Sequence, residues 1–346
     1  MAYTAIPQES KTNINKAGEF LTQATYSTIG YQEALDLANR WRACHAYPIN
    51  TFQATLRTKL KDYKGSPIVA QRLKRMPTVI DKLKRHPNMK LTTMQDIAGV
   101  RGIVEDIEDV YRIVKAYEEN KNFPHDFVQK FDYVNTPRNA DGYRSVHLVY
   151  KYVNKAYPNY DGLKVEIQIR TKLQHIWATA VETMGTFIGQ ALKTRQGDKE
   201  WLDFFAMVSE GFARIEGSSS LPRFTNLSHD EVYQTIASEE RKLSVLDKMK
   251  SFSTVAINMG NNKAHAFHLI TINYASKEVS VVSYNRDNYQ QALLDYNQAE
   301  AKMPDNVDIA LVSAGKIDTL KKAYPNLFLD LNEFEIHLHS MIAKGS

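Results

Sequence analysis

The stretch LKVEIQIR, residues 163–170, puts Val165, Ile167 and Ile169 on one side of an extended chain and Lys164, Glu166, Gln168 and Arg170 on the other. Successive side chains of a strand face opposite ways, so this alternation predicts a strand with one buried and one polar face. FVQKFDYV (127–134) and YRSVHLVYKYV (143–153) share the period of two, and IAGVRGIVE (97–105) is a β-rich run with an apolar bias. DVYRIVKAYEEN (109–120) has the spacing of an amphipathic helix, and TKLQHIWATAVETMGTFIGQALK (171–193) reads as a long helix leading to another around residues 201–215. Strands and helices in this order predict an α+β fold: a mixed β-sheet flanked by helices.

Upstream, YQEALDLANRW (31–41) and TFQATLRTKLKDY (51–63) show helical spacing, so the first ninety residues read as helices broken by turns. Pro67 and Pro77 bracket a short basic segment, with Pro77 opening a helix that carries Val79, Ile80 and Leu83 on one side and presents Lys82 and Arg85 on the other. Downstream, EGSSSLPRF (216–224) has the composition of a connecting loop and sets a boundary between residues 1–220 and a small α+β C-terminal domain, 221–346. There the pattern predicts a helix over 229–250, strands STVAINM (253–259), AFHLITINY (266–274) and EVSVVSY (278–284), the last two joined by an ASK turn. A helix over 287–302, a strand VDIALVSA (307–314) and a final helical stretch complete it.

A length of 346 residues fits two domains at about 150 residues each. With 44 Lys and Arg against 39 Asp and Glu the chain is nearly neutral, yet residues 55–90 hold eleven Lys or Arg against Asp62 and Asp81. That local charge points to phosphates as ligands, from a nucleotide or a nucleic acid. A single cysteine, Cys44, rules out an intramolecular disulfide and a cysteine-based zinc cluster. No run of about 18 apolar residues and no leader pattern predict a cytoplasmic protein without a membrane partner.

Three clusters carry chemistry. In RLKRMPTVIDKLKR (72–85), Arg72 and Lys74 with Thr78 and Lys82 one helical turn apart form a set able to hold a triphosphate; a solvated helix face is the alternative. Asp96 stands at the mouth of IAGVR and Glu166 lies within a strand, where a carboxylate is costly unless paired. Two acids from neighbouring strands are the minimum for a magnesium site completed by phosphate oxygens, whereas a turn cap at Asp96 and a Glu166–Arg170 pair would be purely structural. In DYVNTPRNADGYRSVH (132–147), Tyr143 in a loop can stack on a base, with Arg138 and Arg144 near phosphates and His147 on the next strand.

The order of these clusters over residues 72–182 resembles the synthetase domain of RelA/SpoT-type alarmone synthetases, a nucleotidyltransferase-like core. The resemblance implies transfer of pyrophosphate from ATP to a nucleotide 3′ hydroxyl. It assigns Arg72 and Arg101 to the adenine, Lys74, Thr78 and Lys82 to the ATP phosphates, and Asp96 and Glu166 to catalysis and a Mg2+ site. Arg138, Tyr143, His147 and Gln168 become acceptor-binding residues. Two positions depart from the family pattern: Arg138 stands for the usual Lys, and Asp141 for the usual Asn before Gly-Tyr. The HD pairs at His125 and His229 lack the companions of the family's hydrolase half, so the chain reads as making its product without destroying it.

The N-terminal helices and appended domain further resemble CapRel-like fused toxic small alarmone synthetases of the toxin-antitoxin, phage-defence type. That implies a tRNA 3′ CCA end, or GDP/GTP, as acceptor, a C-terminal domain that restrains the enzyme, and a phage protein as trigger. A non-catalytic RNA-binding protein on a synthetase scaffold is the competing class, and an oligomerisation role the competing reading of the C-terminal domain. His337 and His339 lack a third metal ligand, and Cys44 beside His45 reads as helix packing.

Overall fold

In the computed structural model the alternation of residues 163–170 becomes β5 (Lys164–Thr171), one strand of a five-stranded sheet. The structure describes residues 5–63, 65, 67–187, 199–258, 265–273, 278–300, 307–313 and 327–345. These fall into two compact units, residues 1–134 with 145–172, and residues 135–144 with 173–346.

The first unit runs α1 (Lys11–Gln23), α2 (Tyr31–Ala43), α3 (Ala46–Leu60), β1 (Ile68–Leu73), α4 (Met76–Arg85), β2 (Ala98–Val104), α5 (Ile107–Glu118), β3 (Asp126–Asp132), β4 (Val146–Lys151) and β5. The sheet order is β1-β2-β5-β4-β3, with β2 and β5 parallel and the other neighbours antiparallel. β1 is a strand that the sequence reading missed. Between its two prolines the basic segment pairs with β2, Arg72 opposite Gly99.

Register explains the two faces. Val165, Ile167 and Ile169 pair with Ala98, Val100 and Gly102 of β2 and with Tyr150, Leu148 and Val146 of β4. This face is buried under α3 and α5, among Phe52, Leu56, Val110, Ile113 and Val114. Each such fully buried aliphatic side chain stabilises the fold by about 1.5–3 kcal/mol. Glu166, Gln168 and Arg170 therefore lie on the opposite face, with Gly99, Arg101 and His147 in the paired positions. A second cluster joins α1, α2 and α4 through Ile14, Leu21, Trp41, Val79 and Leu83.

The second unit holds the loop 135–144, α6 (Lys172–Phe187), α7 (Lys199–Glu216), α8 (His229–Leu243), α9 (Val245–Asn258), β6 (His265–Asn273), β7 (Glu278–Asn285), α10 (Tyr289–Glu300), β8 (Val307–Ser313) and α11 (Leu327–Gly345). Its sheet has the order β7-β6-β8, all antiparallel. Two expectations are corrected here. The single helix expected over 229–250 is two helices, broken at Ser244 with φ 51°. Residues 253–258 of the expected strand STVAINM continue α9 as helix. Once Val245, Leu246 and Met249 are buried on the first turns, extending the helix costs less than starting a strand, which overrides the β-branched composition. Met259 and the expected ASK turn lie outside the described residues.

Candidate active site

The polar face of the first sheet is built around two carboxylates. Asp96 lies two residues before β2, on the connection from α4. Its Oδ2 accepts hydrogen bonds from Lys74 Nζ at 2.9 Å and Lys82 Nζ at 2.8 Å. Its Oδ1 is buried and has no hydrogen-bond partner. Burial opposes the charge on Asp96, but the two ammonium groups outweigh it and lower its pKa to about 2. The local sequence explains the convergence: Lys74 follows β1 and its N–H donates to Ile97 O at 2.7 Å, while Lys82 rides on α4 one turn after Thr78.

Glu166 is buried on β5, opposite Gly99 of β2. Its Oε1 lies 3.1 Å from His147 Nδ1 and its Oε2 accepts from Gln168 Nε2 at 2.6 Å. Burial again opposes ionisation; His147 outweighs it and Gln168 adds to the effect, so the carboxyl is held below its usual range even though nearby Asp96 pushes the other way. Gln168 also accepts from Arg101 Nε and Nη2 at 3.4 Å each. Glu166 is thus tied to His147 and Gln168, not to Arg170 as the structural alternative had it.

Gly99 has a role that the sequence reading did not single out. It separates Arg72 from Glu166 in one row of paired positions, and a Cβ built on it would meet only Arg72 O, at 3.8 Å. A side chain there would fill the space between an exposed guanidinium and a buried carboxylate. Tyr133 was also missed: its ring meets the His147 ring edge-on at 5.4 Å and stacks on Phe131 at 5.9 Å. The period of two in FVQKFDYV already put Phe131 and Tyr133 on one face, but only register places Phe131 opposite His147.

Of the residues expected in the site, the first unit brings together Lys74, Lys82 and Asp96 in one cluster and Arg101, His147, Glu166 and Gln168 in another. Arg72 and Thr78 are exposed, on β1 and α4. Arg138 and Tyr143 belong to the second unit. There Arg138 pairs with Asp141 and its guanidinium lies 4.4 Å from the centroid of the Tyr143 ring. Arg144, expected near phosphates, is instead buried: Nε donates to Ser209 Oγ at 3.1 Å, Nη1 to Ser219 O at 2.5 Å, and Glu210 lies 3.6 Å away. Of the basic residues ahead of the site, Lys59 donates to Ala116 O and covers the Tyr117 ring, and Lys64 lies outside the described residues.

The donor set fits a hard divalent cation. The buried, unpartnered Asp96 Oδ1 suits an ion that takes one or two carboxylates and completes its shell with substrate oxygens. Among the described residues no group of three or more His, Cys, Asp or Glu is arranged to hold a metal by itself, and His337 instead packs edge-on against Phe212. None of the described helices is long and apolar enough to cross a membrane.

Residues 71–185 match a family model described as a region found in RelA / SpoT proteins. The chain is 32% identical over 120 residues to the GTP pyrophosphokinase YjbM of Bacillus subtilis, covering 34% of this chain and 56% of that protein. It is 33% identical over 114 residues to YwaC of the same organism, covering 31% and 52%. The chain thus spans about half the length of the curated relatives it matches. Among solved structures, the small alarmone synthetase 1 of Bacillus subtilis aligns at 26% identity and a TM-score of 0.44, covering 53% of this chain and 93% of that one.

Proposed function

From the match of residues 71–185 to a region found in RelA / SpoT proteins, we propose that the protein is a magnesium-dependent ATP pyrophosphokinase acting on a nucleotide 3′ hydroxyl. The observation that carries this reading is the Asp96 cluster, one carboxylate oxygen clasped by Lys74 and Lys82 and the other buried without a partner. A pure RNA-binding scaffold has no use for such an atom.

The acceptor 3′ oxygen attacks the β-phosphorus of ATP as the bond from that phosphorus to the bridging α,β-oxygen breaks, and AMP leaves. Glu166, kept ionised by His147 and Gln168, takes the hydroxyl proton. Lys74 and Lys82 exchange Asp96 for the β- and γ-phosphates, with Thr78 at the same turn, so that their charge offsets what develops on the transferred group. When bound through Asp96 and Glu166, Mg2+ supplies further charge neutralisation to the phosphates. Arg72 and Arg101 are assigned to the adenine, where planar guanidinium groups stack well. Arg138 and Tyr143, with His147 and Gln168, are assigned to the acceptor, which is the 3′ CCA end of tRNA or GDP/GTP.

In the wider reading, residues 221–346 form a regulatory domain that restrains this synthetase in the cytoplasm until a phage protein binds, as the CapRel-like resemblance implies. Purified protein is incubated with γ-labelled ATP and tRNA, GDP or GTP. Label transfer with AMP release, absent in Glu166→Gln, supports the enzyme. No transfer to any acceptor in the presence of the activating protein rejects it. For the regulatory part, growth arrest confined to phage-infected cells supports restraint, and arrest without infection contradicts it.

A further inference from the structure

The loop 135–144 is closed on itself: the Gly142 N–H donates to Arg138 O at 2.8 Å and the Arg138 N–H to Tyr143 O at 3.3 Å. Two neighbouring residues of α7 grip it. Ser209 Oγ donates to Gly142 O at 2.5 Å and accepts from Arg144 Nε at 3.1 Å. Glu210, wholly buried, lies 3.6 Å from Arg144 Nη2, beyond hydrogen-bond reach but within that of an ion pair. Burial lowers the pKa of Arg144 to about 10, and Glu210 is the chief group working against that shift.

Glu210 is shared. Its Oε2 accepts from the Leu221 N–H at 2.8 Å and its Oε1 from Arg214 Nε at 3.0 Å. Arg214 Nη2 in turn donates to Phe224 O at 3.2 Å, and Arg144 Nη1 to Ser219 O. One carboxylate thus joins the loop to residues 219–224, the connection that leads into α8. A partner withdrawn from such a site leaves an unscreened charge behind, so the donors around Glu210 keep their places together.

We infer, on the reading that the loop 135–144 receives the acceptor, that Glu210 is a positioning residue. Through Arg144 it sets the loop that carries Tyr143, and through Leu221 and Arg214 it ties that loop to the connection into the C-terminal residues. Its effect falls on acceptor binding and not on Lys74, Lys82 and Asp96, which belong to the first unit. A displacement of residues 219–224 reaches Tyr143 by the same route, which makes this connection the place where the C-terminal residues alter acceptor affinity.

The test is hydrogen–deuterium exchange and steady-state kinetics on the full chain, Glu210→Gln and Arg144→Met, each variant read at the far end of the link. Glu210→Gln removes the charge and keeps the shape. Exchange at Gly142 and Tyr143, whose N–H groups donate to Arg138 O and Asp141 Oδ1, is expected to rise about tenfold. Arg144→Met is expected to raise exchange at Leu221, whose N–H donates to Glu210, by a similar factor. Amides of Leu148 and Ile167 in the first sheet keep their original rate. In both variants KM for the acceptor, GDP or an RNA ending in CCA, rises about tenfold while KM for ATP stays within about threefold. Should Glu210→Gln fail to fold, the double variant Arg144→Met/Glu210→Met, with both charges replaced by apolar side chains, takes its place with the same expectations. Unchanged exchange at the far end of the link overturns the inference, as do equal rises in KM for acceptor and ATP. Failure of the enzymatic reading shows separately, as absence of AMP release from ATP with any acceptor, and leaves the exchange comparison decisive.

Discussion

Lys82 Nζ stands 2.8 Å from Asp96 Oδ2, so the lysine proposed to hold a phosphate is the partner of the carboxylate proposed to hold the metal. Lys74 makes the same exchange at 2.9 Å. The arrangement pairs two cations with one oxygen of the acid, and in the proposed reaction that oxygen is released when the lysines turn to the triphosphate. Ion and nucleotide are thus expected to bind together more tightly than either alone.

Asp96→Asn removes the charge that meets both lysines and that is proposed to hold the ion. AMP release is expected to fall at least about 100-fold. Chelation with EDTA should abolish release in the original chain and added Mg2+ should restore it, with no recovery in Asp96→Asn. Lys82→Ala leaves Lys74 on Asp96 and should also lower release, by about 100-fold. Full activity in Lys82→Ala would remove the phosphate assignment.

The Glu166 carboxyl is held below the usual carboxylate range against burial, chiefly by His147. The acid limb of the pH-rate profile should therefore lie below the range of an ordinary glutamate, since the proposed base is lost only when the pH drops through its depressed pKa. His147→Gln weakens the offset and raises the Glu166 pKa, so the limb should move to higher pH. Glu166→Gln should lower AMP release by about 10²- to 10⁴-fold at all pH values, with an unchanged circular dichroism spectrum. An unmoved limb in His147→Gln would show that another group titrates.

Gly142 has φ 79°, and a Cβ on it would lie 2.8 Å from Ser209 Cβ and 2.9 Å from Ala206 Cα, both on α7. Gly142→Ala therefore meets a steric and a conformational cost together. A loss of about 1–3 kcal/mol in the unfolding free energy is expected from denaturant titration. A change under about 0.5 kcal/mol would mean that the turn yields easily.

His45 is fully enclosed, its Nδ1 2.9 Å from Trp41 O, and burial lowers its pKa from 6.5 to about 4. The unfolded state then binds more protons than the folded one between these values. Stability from this group is complete above pH 6.5 and is lost as the pH falls through about 4, by about 3 kcal/mol. His45→Gln should flatten this part of the stability-against-pH curve measured by urea titration; an unchanged slope would assign it to other groups, such as His125, whose pKa burial also lowers.

Much of the site could be read along the chain. The alternation in residues 163–170 already placed Glu166 and Gln168 on the face away from Val165 and Ile167, and the spacing of Thr78 and Lys82 put both on one side of a helix. The failures share one cause, which is that partners distant in sequence decided the outcome. β1 is a strand because β2 offers it a free edge, not because IVAQRL alternates strongly. Arg144 looked like a phosphate ligand and is an anchor because Ser209, Ser219 and Glu210, over sixty residues away, meet it in a buried position. STVAINM is helical through Asn258 because the helix was already nucleated upstream.

The sequence by itself determined which side chains could share a face, since that follows from the fixed periods of strand and helix, and it determined the set of acids, cations and rings available for the chemistry. Only the tertiary structure decided which of them met. Parallel pairing of β2 with β5 set Gly99 against Glu166, packing of β4 on β5 brought His147 to the carboxylate, and the connection after α4 carried Asp96 to Lys74 and Lys82. Charge pairs and buried polar atoms depend on distances across the fold, and those distances are set by packing that no local stretch of residues contains.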